Sequence, residues 1–436
     1  MKNLIIGLSF SALWFLPTAC TKKMTSHPVN PPTDTGYVNT THLDNLYTPV
    51  TFTNGVQAAG VYIYSEYPDY HLVDANGEGF ACVDDVSRAA LVYLRSNKFP
   101  SDTAAQSKLY NLIEFIVEMQ SPNGYFYNFL FSNSLINKAG ITSINNPNWW
   151  SWRALQTLTE AMPVLQTKNP QLFAKVVPAV KKVIDQIKTD LVNLPQTTTV
   201  VNGITIPQWL PAGSGTDQAA TLIIGLINYA STTTDTVIST FIKKLAGGVV
   251  LMQQGDATHF PYASFLSWEN TWHAYGNVQA YALMLVAEFL NDPLYMTYAL
   301  KEVDNFYPWL LQNGFKASFS IGNNAGVYQV LTENKYDQIA YGISPMVFAA
   351  AEAYKRTGEN KYADMAGQLA AWLLGANDAF VNIYTPSTGV CFDGISSPGN
   401  VNLNSGAEST IEALLVLEIA EQVPAIMTAL NNYKKK

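Results

Sequence analysis

The sequence predicts an all-α fold in which six helical hairpins close into a ring, preceded by a short irregular segment and an export signal. Three observations carry this prediction. Two kinds of helix alternate along the chain, the alternation occurs six times, and a similar connector returns between hairpins.

The chain opens on Lys2 and an apolar run of fourteen residues, Asn3 to Leu16, too short to span a bilayer and matched to the core of a signal peptide. Leu16-Pro17-Thr18-Ala19-Cys20 then resembles a lipobox, although the leucine stands one place early and Pro17 takes its slot. Residues 1–20 are therefore expected to be a lipoprotein signal peptide with Cys20 as the acylated residue. Residues 21–46 begin with a stretch rich in Pro, Thr, Asn and Ser that buries too little apolar surface to fold and reads as a tether. Residues 47–436 are expected to be the folded domain, with Tyr47 to Cys82 irregular or short-stranded at its mouth. Localisation in the bacterial cell envelope follows, with the lipid as the only membrane attachment.

Within the domain, one kind of helix is apolar nearly all round. Examples are Val86 to Leu94, Ala219 to Ala230, Val278 to Leu290, Met346 to Tyr354 and Ile411 to Ala420. A helix without a polar face is buried on all sides. The other kind is amphipathic: Val176, Val180, Val183, Ile184, Ile187 and Leu191 form one stripe, while Lys175, Lys182, Asp185 and Lys188 largely fall away from it. Buried helices are expected to begin near Asp84, Trp149, Thr216, Trp272, Asp337 and Ala407, at spacings of 65, 67, 56, 65 and 70 residues. Their amphipathic partners begin near Asp102, Asn169, Thr233, Asp292, Asn360 and Val423. Met119-Gln120 and Met252-Gln253 each lead through turn residues into aromatics, with weaker echoes at Gly314-Phe315 and Gly389 to Phe392. No single hairpin covers its own buried helix, so the six must stack, and closure leaves no bare end.

Composition narrows the partners. Net charge is −8 with no basic cluster, which argues against nucleic acid. Aromatics reach 12%, including 9 Trp and 24 Tyr, enough for a large core and a cleft lined with flat rings. Beyond Cys20 only Cys82 and Cys391 remain, without metal-ligand spacing. No zinc motif, phosphate-cradling glycine loop or serine-hydrolase elbow is present, so no metal or cofactor is expected.

Two segments add a resemblance. Gly79-Phe80-Ala81-Cys82-Val83-Asp84-Asp85-Val86-Ser87-Arg88-Ala89 and Asn404-Ser405-Gly406-Ala407-Glu408-Ser409-Thr410-Ile411-Glu412-Ala413-Leu414 look like stretches of bacterial toroid proteins of carbohydrate metabolism. With the six-pair count, the chain from about Phe80 onward resembles the six-hairpin glycosidase superfamily, the (α/α)6 toroids. The resemblance implies a cleft at the N-terminal ends of the inner helices and an oligosaccharide or polysaccharide partner. It does not single out one family. A monomer is expected.

The starts of the buried helices do collect polar groups: Asp84 and Asp85, Asp217, Glu269 and His273, Asp337, and Glu408. Each acid has a plain alternative as a helix cap, and Asp217 is the one that reads as a cap alone. Adjacent acids at the mouth of an apolar helix repel, and desolvation raises the pKa of at least one, which suits acid–base work on a glycosidic bond. Arg88 lies within reach of both, so a simple ion pair is the bland reading. Ser405 and Glu408 have capping-box spacing. Trp268, Glu269, Trp272, His273, Tyr275 and Asn277 form the densest cluster, where rings would stack on sugars and polar groups fix hydroxyls; packing in the core is the alternative. Trp149, Trp150 and Arg153 open the second inner helix and are candidates for the same mouth.

The catalytic candidates are thus Asp84, Asp85, Glu269, His273, Asp337 and Glu408. The substrate-binding candidates are Arg88, Trp149, Trp150, Arg153, Trp268, Trp272, Tyr275 and Asn277. A glycoside hydrolase with paired carboxylates is the first reading. A polysaccharide lyase using a His273 or Tyr275 base is the second, and a non-catalytic glycan-binding lipoprotein the third. Ring closure also sets Cys82 and Cys391 in neighbouring loops, where an exported protein is able to form a disulfide.

Overall fold

The computed structural model describes residues 36–434; the signal segment, Cys20 and most of the expected tether lie outside the described residues. Among the described residues are thirteen α-helices and several small antiparallel sheets. After a short α1 (Thr41–Leu46), the inner helices are α2 (Val83–Arg95), α4 (Trp149–Lys168), α6 (Thr216–Ser231), α8 (Gln279–Phe289), α10 (Ala340–Thr357) and α12 (Ala407–Gln422). Their partners are α3 (Thr103–Glu118), α5 (Pro170–Asp190), α7 (Thr236–Leu251), α9 (Pro293–Asn313), α11 (Asn360–Ala370) and α13 (Pro424–Tyr433). Each inner helix packs on the next, and α12 packs back on α2, so the contacts run in a closed cycle.

The uniformly apolar helices are the inner ones because every side of them meets protein. Leu155 and Leu158 on α4, Leu222 and Leu226 on α6, and Leu414 and Leu417 on α12 are fully buried. Each such side chain contributes about 1.5–3 kcal/mol relative to an exposed one. The Met-Gln connectors have a shared role. Met119 and Met252 are fully buried, while the amides of Gln120 and Gln253 donate to Ala179 O on α5 and Tyr298 O on α9, at 2.8 Å in both cases. Each glutamine fastens one outer helix to the next.

Three boundaries differ from expectation. Residues Gly36–Leu46, expected in the tether, are folded: Leu43 and Leu46 are fully buried, and Val38 N–H donates to Glu421 Oε1 at 2.9 Å. The fourth inner helix starts at Gln279 instead of Trp272, because Thr271–His273 is taken up as an edge strand against Ser318–Asn324, which itself pairs with Val327–Asn334. The fifth starts at Ala340, so Asp337 precedes it and is exposed. With these starts the inner helices recur at 66, 67, 63, 61 and 67 residues, a tighter period than the sequence suggests.

Candidate active site

Side-chain capping is uneven around the rings: inner α4 is capped by Asn148, and outer α11 and α13 have no side-chain cap. The outer helices α3, α5, α7 and α9 carry side-chain caps from Asp102, Asn169, Asp235 and Asp292. The inner helices α6, α8, α10 and α12 have none, and α2 is capped by the Cys82 thiol, which accepts from Asp85 N–H at 3.4 Å. The acids at the inner starts are thereby released for other work.

At the N-terminal ends of α2, α10 and α12 lies a pocket of about 370 Å³. Asp84, Asp85, Arg88, Tyr341, Asp393 and Glu408 line it. Arg88, 2% exposed, holds its centre. Its Nη2 lies 2.6 Å from Asp85 Oδ1, 3.2 Å from Asp84 Oδ2 and 3.2 Å from Glu408 Oε2. Its Nη1 donates to Glu412 Oε1 at 2.7 Å, and Glu412 Oε2 accepts from Ser344 Oγ at 2.5 Å. Arg153 Nε lies 2.5 Å from Asp84 Oδ1, and Arg153 also donates to the Tyr341 hydroxyl. The Tyr341 ring has the Arg88 guanidinium 4.8 Å and the Arg153 guanidinium 5.1 Å from its centre, both as cation–π contacts.

The carboxylates of this cluster are not equivalent. Both oxygens of Asp84 face guanidinium groups. Burial raises the Asp85 pKa against the pull of Arg88, and the Asp84 charge adds to the rise. The Glu408 side chain is 42% exposed, and its carboxyl stands 3.2 Å from Arg88 Nη2 with Asp85, Glu412 and Asp84 as neighbouring charges. Desolvation pushes it up to about 7, opposed by Arg88 and reinforced by Asp85, Glu412 and Asp84. Asp393 is also raised by burial, although it accepts from Gly406 N–H at 2.8 Å and Ser409 Oγ at 2.6 Å.

A larger cavity of about 660 Å³ lies along the inner helices and shares Arg88, Arg153, Tyr341 and Glu412 with the carboxylate cluster. Its other charged groups are matched among themselves, as in Arg95 with Glu160 at 2.7 Å and Arg356 with Glu352 at 2.6 Å. The smaller pocket holds carboxylates in excess of cations.

The expected residues divide cleanly. Asp84, Asp85, Arg88, Arg153 and Glu408 come together as anticipated. Asp337 shares no pocket with them. Glu269 does not line that pocket either; it stands in a turn with φ +49°, and its N–H donates to Ser214 Oγ at 3.0 Å. Asp217 is not the cap it reads as: α6 has no side-chain cap, and while Asp217 Oδ1 accepts from the adjacent Gln218 N–H, Oδ2 lies 2.9 Å from His273 Nε2. His273 Nδ1 lies 2.9 Å from Tyr275 O, so both ring nitrogens are engaged. Trp150 and Trp272 belong to the core, the first donating to Phe126 O and the second stacked on Phe319 at 5.1 Å. Asn277 is 3% exposed, too buried to reach a ligand at the surface. Trp268 and Tyr275 are exposed, and Trp149 is half-buried. A Cβ at Gly276 would lie 2.5 Å from the Tyr341 hydroxyl and 3.1 Å from Trp149, so this segment seats directly against the Arg153–Tyr341 group. Ser405 makes no capping box; its Oγ accepts from Cys391 N–H at 3.2 Å, leaving Glu408 to the pocket. Cys82 and Cys391 are separate buried thiols, not a disulfide.

Tyr341, Asp393, Glu412 and Ser344 were not anticipated. Glu412 stands one turn beyond Glu408, a spacing that was available in the sequence. Asp393 lies in a loop with no periodic signal.

The architecture is that of a toroid with a carboxylate pocket at one rim. No family profile and no curated protein matches the sequence. Solved structures do match. A sugar epimerase from a ruminal bacterium is 11% identical, with 88% of this chain and 95% of that chain covered at a TM-score of 0.59. A cellobiose 2-epimerase from Bacillus thermoamylovorans is 12% identical, covering 84% and 92%, at 0.54. A family 76 glycoside hydrolase, a mannosidase from Bacteroides thetaiotaomicron, is 12% identical, covering 89% and 96%, at 0.54. The fold these structures share with this chain is the (α/α)6 toroid.

Proposed function

We propose that the chain is a glycoside hydrolase acting on an oligosaccharide or polysaccharide, with Glu408 as proton donor and Asp84 as the anionic partner. The observation that carries this reading is the unequal setting of two carboxyls around one arginine. Glu408 is pushed up to about 7, while the two oxygens of Asp84 lie 3.2 Å from Arg88 Nη2 and 2.5 Å from Arg153 Nε. Glu408 gives its proton to the glycosidic oxygen, the bond to the anomeric carbon breaks, and the positive charge that develops faces Asp84.

The oxygens that Asp84 and Glu408 present to Arg88 Nη2 are each 3.2 Å from it, hence at most twice that distance apart. This bound admits the about 5–5.5 Å carboxyl separation of retaining enzymes. In the retaining course an Asp84 oxygen bonds to the anomeric carbon, and ionised Glu408 then takes a proton from the water that releases the sugar. The lyase reading loses support, because His273 has no nitrogen to spare and burial, with the Asp217 charge adding, raises the Tyr275 hydroxyl above its usual range. We further propose that Cys20 anchors the protein to the cell envelope, on the strength of the lipobox resemblance.

The test is incubation with α-mannan, arabinan, xylan, pullulan and cellooligosaccharides, with new reducing ends and product masses as the readout. Hydrolysis adds the mass of water; epimerisation does not. We expect Glu408→Gln and Asp84→Asn to lose about 100-fold or more in kcat on the cleaved substrate. We also expect kcat of the wild type to fall as pH rises through about 7, where Glu408 loses its proton. Full activity in Glu408→Gln, or a mass-neutral product, rejects the assignment.

A further inference from the structure

We propose that Tyr64, Tyr67 and Tyr70 form an aromatic platform that carries the leaving-group side of the substrate, a glycosyl unit beyond the scissile bond. This rests on the hydrolase reading only in naming which side of the bond the platform serves.

The backbone ties the platform to the acid. Ala407 N–H donates to Ile63 O at 2.9 Å, and Ser405 N–H donates to Ser65 O at 3.1 Å. Tyr64 is thus held opposite Gly406, two residues from Glu408. Side chains alternate along an extended strand, so Ser65 turns inward, where its Oγ donates to Ser405 O at 2.6 Å, and Tyr64 turns the other way. Tyr64 lines the carboxylate pocket and remains 47% exposed. Tyr67, 53% exposed, is pinned by its N–H to Asn404 Oδ1 at 3.1 Å, in the same turn that presents Glu408. Tyr70 meets Tyr67 edge-on at 6.3 Å and is backed by buried His42 at 5.3 Å, whose Nε2 lies 2.9 Å from Ser405 O.

Chemistry assigns the side. A general acid protonates the oxygen of the departing group, so that group must lie against Glu408. Open tyrosine rings next to it offer apolar faces for a sugar ring, and Glu66, Asp69 and His71 place hydrogen-bonding groups close by in the chain. Tyr64 and Tyr67 are solvent-exposed on fixed backbones and match this occupant, with half-buried Tyr70 backing Tyr67.

Native gels containing α-mannan, arabinan, xylan or pullulan measure binding without turnover when the protein carries Glu408→Gln. We expect at least one polysaccharide to retard that protein. Adding Tyr64→Ala and Tyr67→Ala should weaken retardation about tenfold, while Tyr64→Phe, which keeps the ring, should preserve it. Unchanged retardation in the double alanine variant, or no retardation by any of the polysaccharides, overturns the platform. If the wild type hydrolyses nothing yet binding depends on the two tyrosines, the hydrolase reading fails and the platform stands as a glycan-binding surface.

Discussion

Replacing Arg88 by methionine isolates the electrostatics at the centre of the ring, because the side chain keeps much of its aliphatic stem and loses only its cationic head. Arg88 is 2% exposed and lies within 3.2 Å of oxygens from Asp84, Asp85, Glu408 and Glu412. Deleting one partner of a buried, hydrogen-bonded ion pair costs about 3–5 kcal/mol. A domain of roughly 400 residues moves its melting temperature by about 1 °C per kcal/mol, so Arg88→Met should melt about 3–6 °C below the wild type at pH 7. The pH dependence tests the cause. Glu408 and Asp85 already have raised pKa values, and losing Arg88 raises them further. A carboxyl whose folded pKa exceeds its unfolded one stabilises the fold below the unfolded value and loses that contribution as pH climbs through the folded value. The melting gap between Arg88→Met and the wild type should therefore be small near pH 4.5 and widen towards pH 8. Thermal unfolding followed by circular dichroism measures it. A gap that stays constant with pH would mean that Arg88 stabilises through packing of its stem, and a gap that grows on acidification would refute the charge argument outright.

Two further changes probe the scaffold. A Cβ at Gly406 would stand 2.4 Å from Ile63 O, a backbone atom that cannot swing aside, so Gly406→Ala should cost about 1–3 kcal/mol and shift the turn that presents Glu408. Wild-type melting and wild-type kcat/KM in that variant would contradict the close approach. Glu302 on α9 is fully buried, accepts from Phe265 N–H at 2.8 Å and Tyr307 Oη at 3.3 Å, and is pushed by burial to about 8. The fold should lose on the order of 4 kcal/mol as pH rises from about 4.5 through 8, and Glu302→Gln should flatten that slope; parallel melting curves against pH would count against it.

The parts of this protein that the sequence discloses are those set by periodicity. Helices apolar all round announce burial, and α4, α6 and α12 begin at the residues expected, Trp149, Thr216 and Ala407. What escaped is set by contacts distant in sequence. The stretch from Trp268 to Asn277 has the composition of a helix start, but pairing with Ser318–Ser320 turns Thr271–His273 into a strand. The β-branched and aromatic residues of Val327–Asn334 and the Asn-Ala-Gly turn before them are a hairpin signal in the sequence. Trp272 and Trp149 cannot be told apart by composition, and only the fold decides that Phe319 covers one while the other stays at the rim. Arg88 was legible as a partner of Asp84 and Asp85 through helix spacing. Its bonds to Glu408 and Glu412 depend on the closure of α12 upon α2.

That closure bears directly on chemistry. An arginine on an apolar inner helix is unfavourable unless acids from a second helix meet it, and α2 alone supplies acids on only one turn. When α12 arrives, Glu412 takes Nη1 and is itself satisfied by Ser344 from α10, which fixes the guanidinium plane. Nη2 is then left to three carboxylates at once, more negative charge than one cation neutralises. Arg153 lies against Asp84, and burial raises the Asp85 pKa. That of Glu408 is raised chiefly by desolvation, with Arg88 opposing and the charges of Asp85, Glu412 and Asp84 adding to the rise. The charge cluster is in this sense produced by ring closure: the last hairpin brings an acid to an arginine that the first hairpin had already filled.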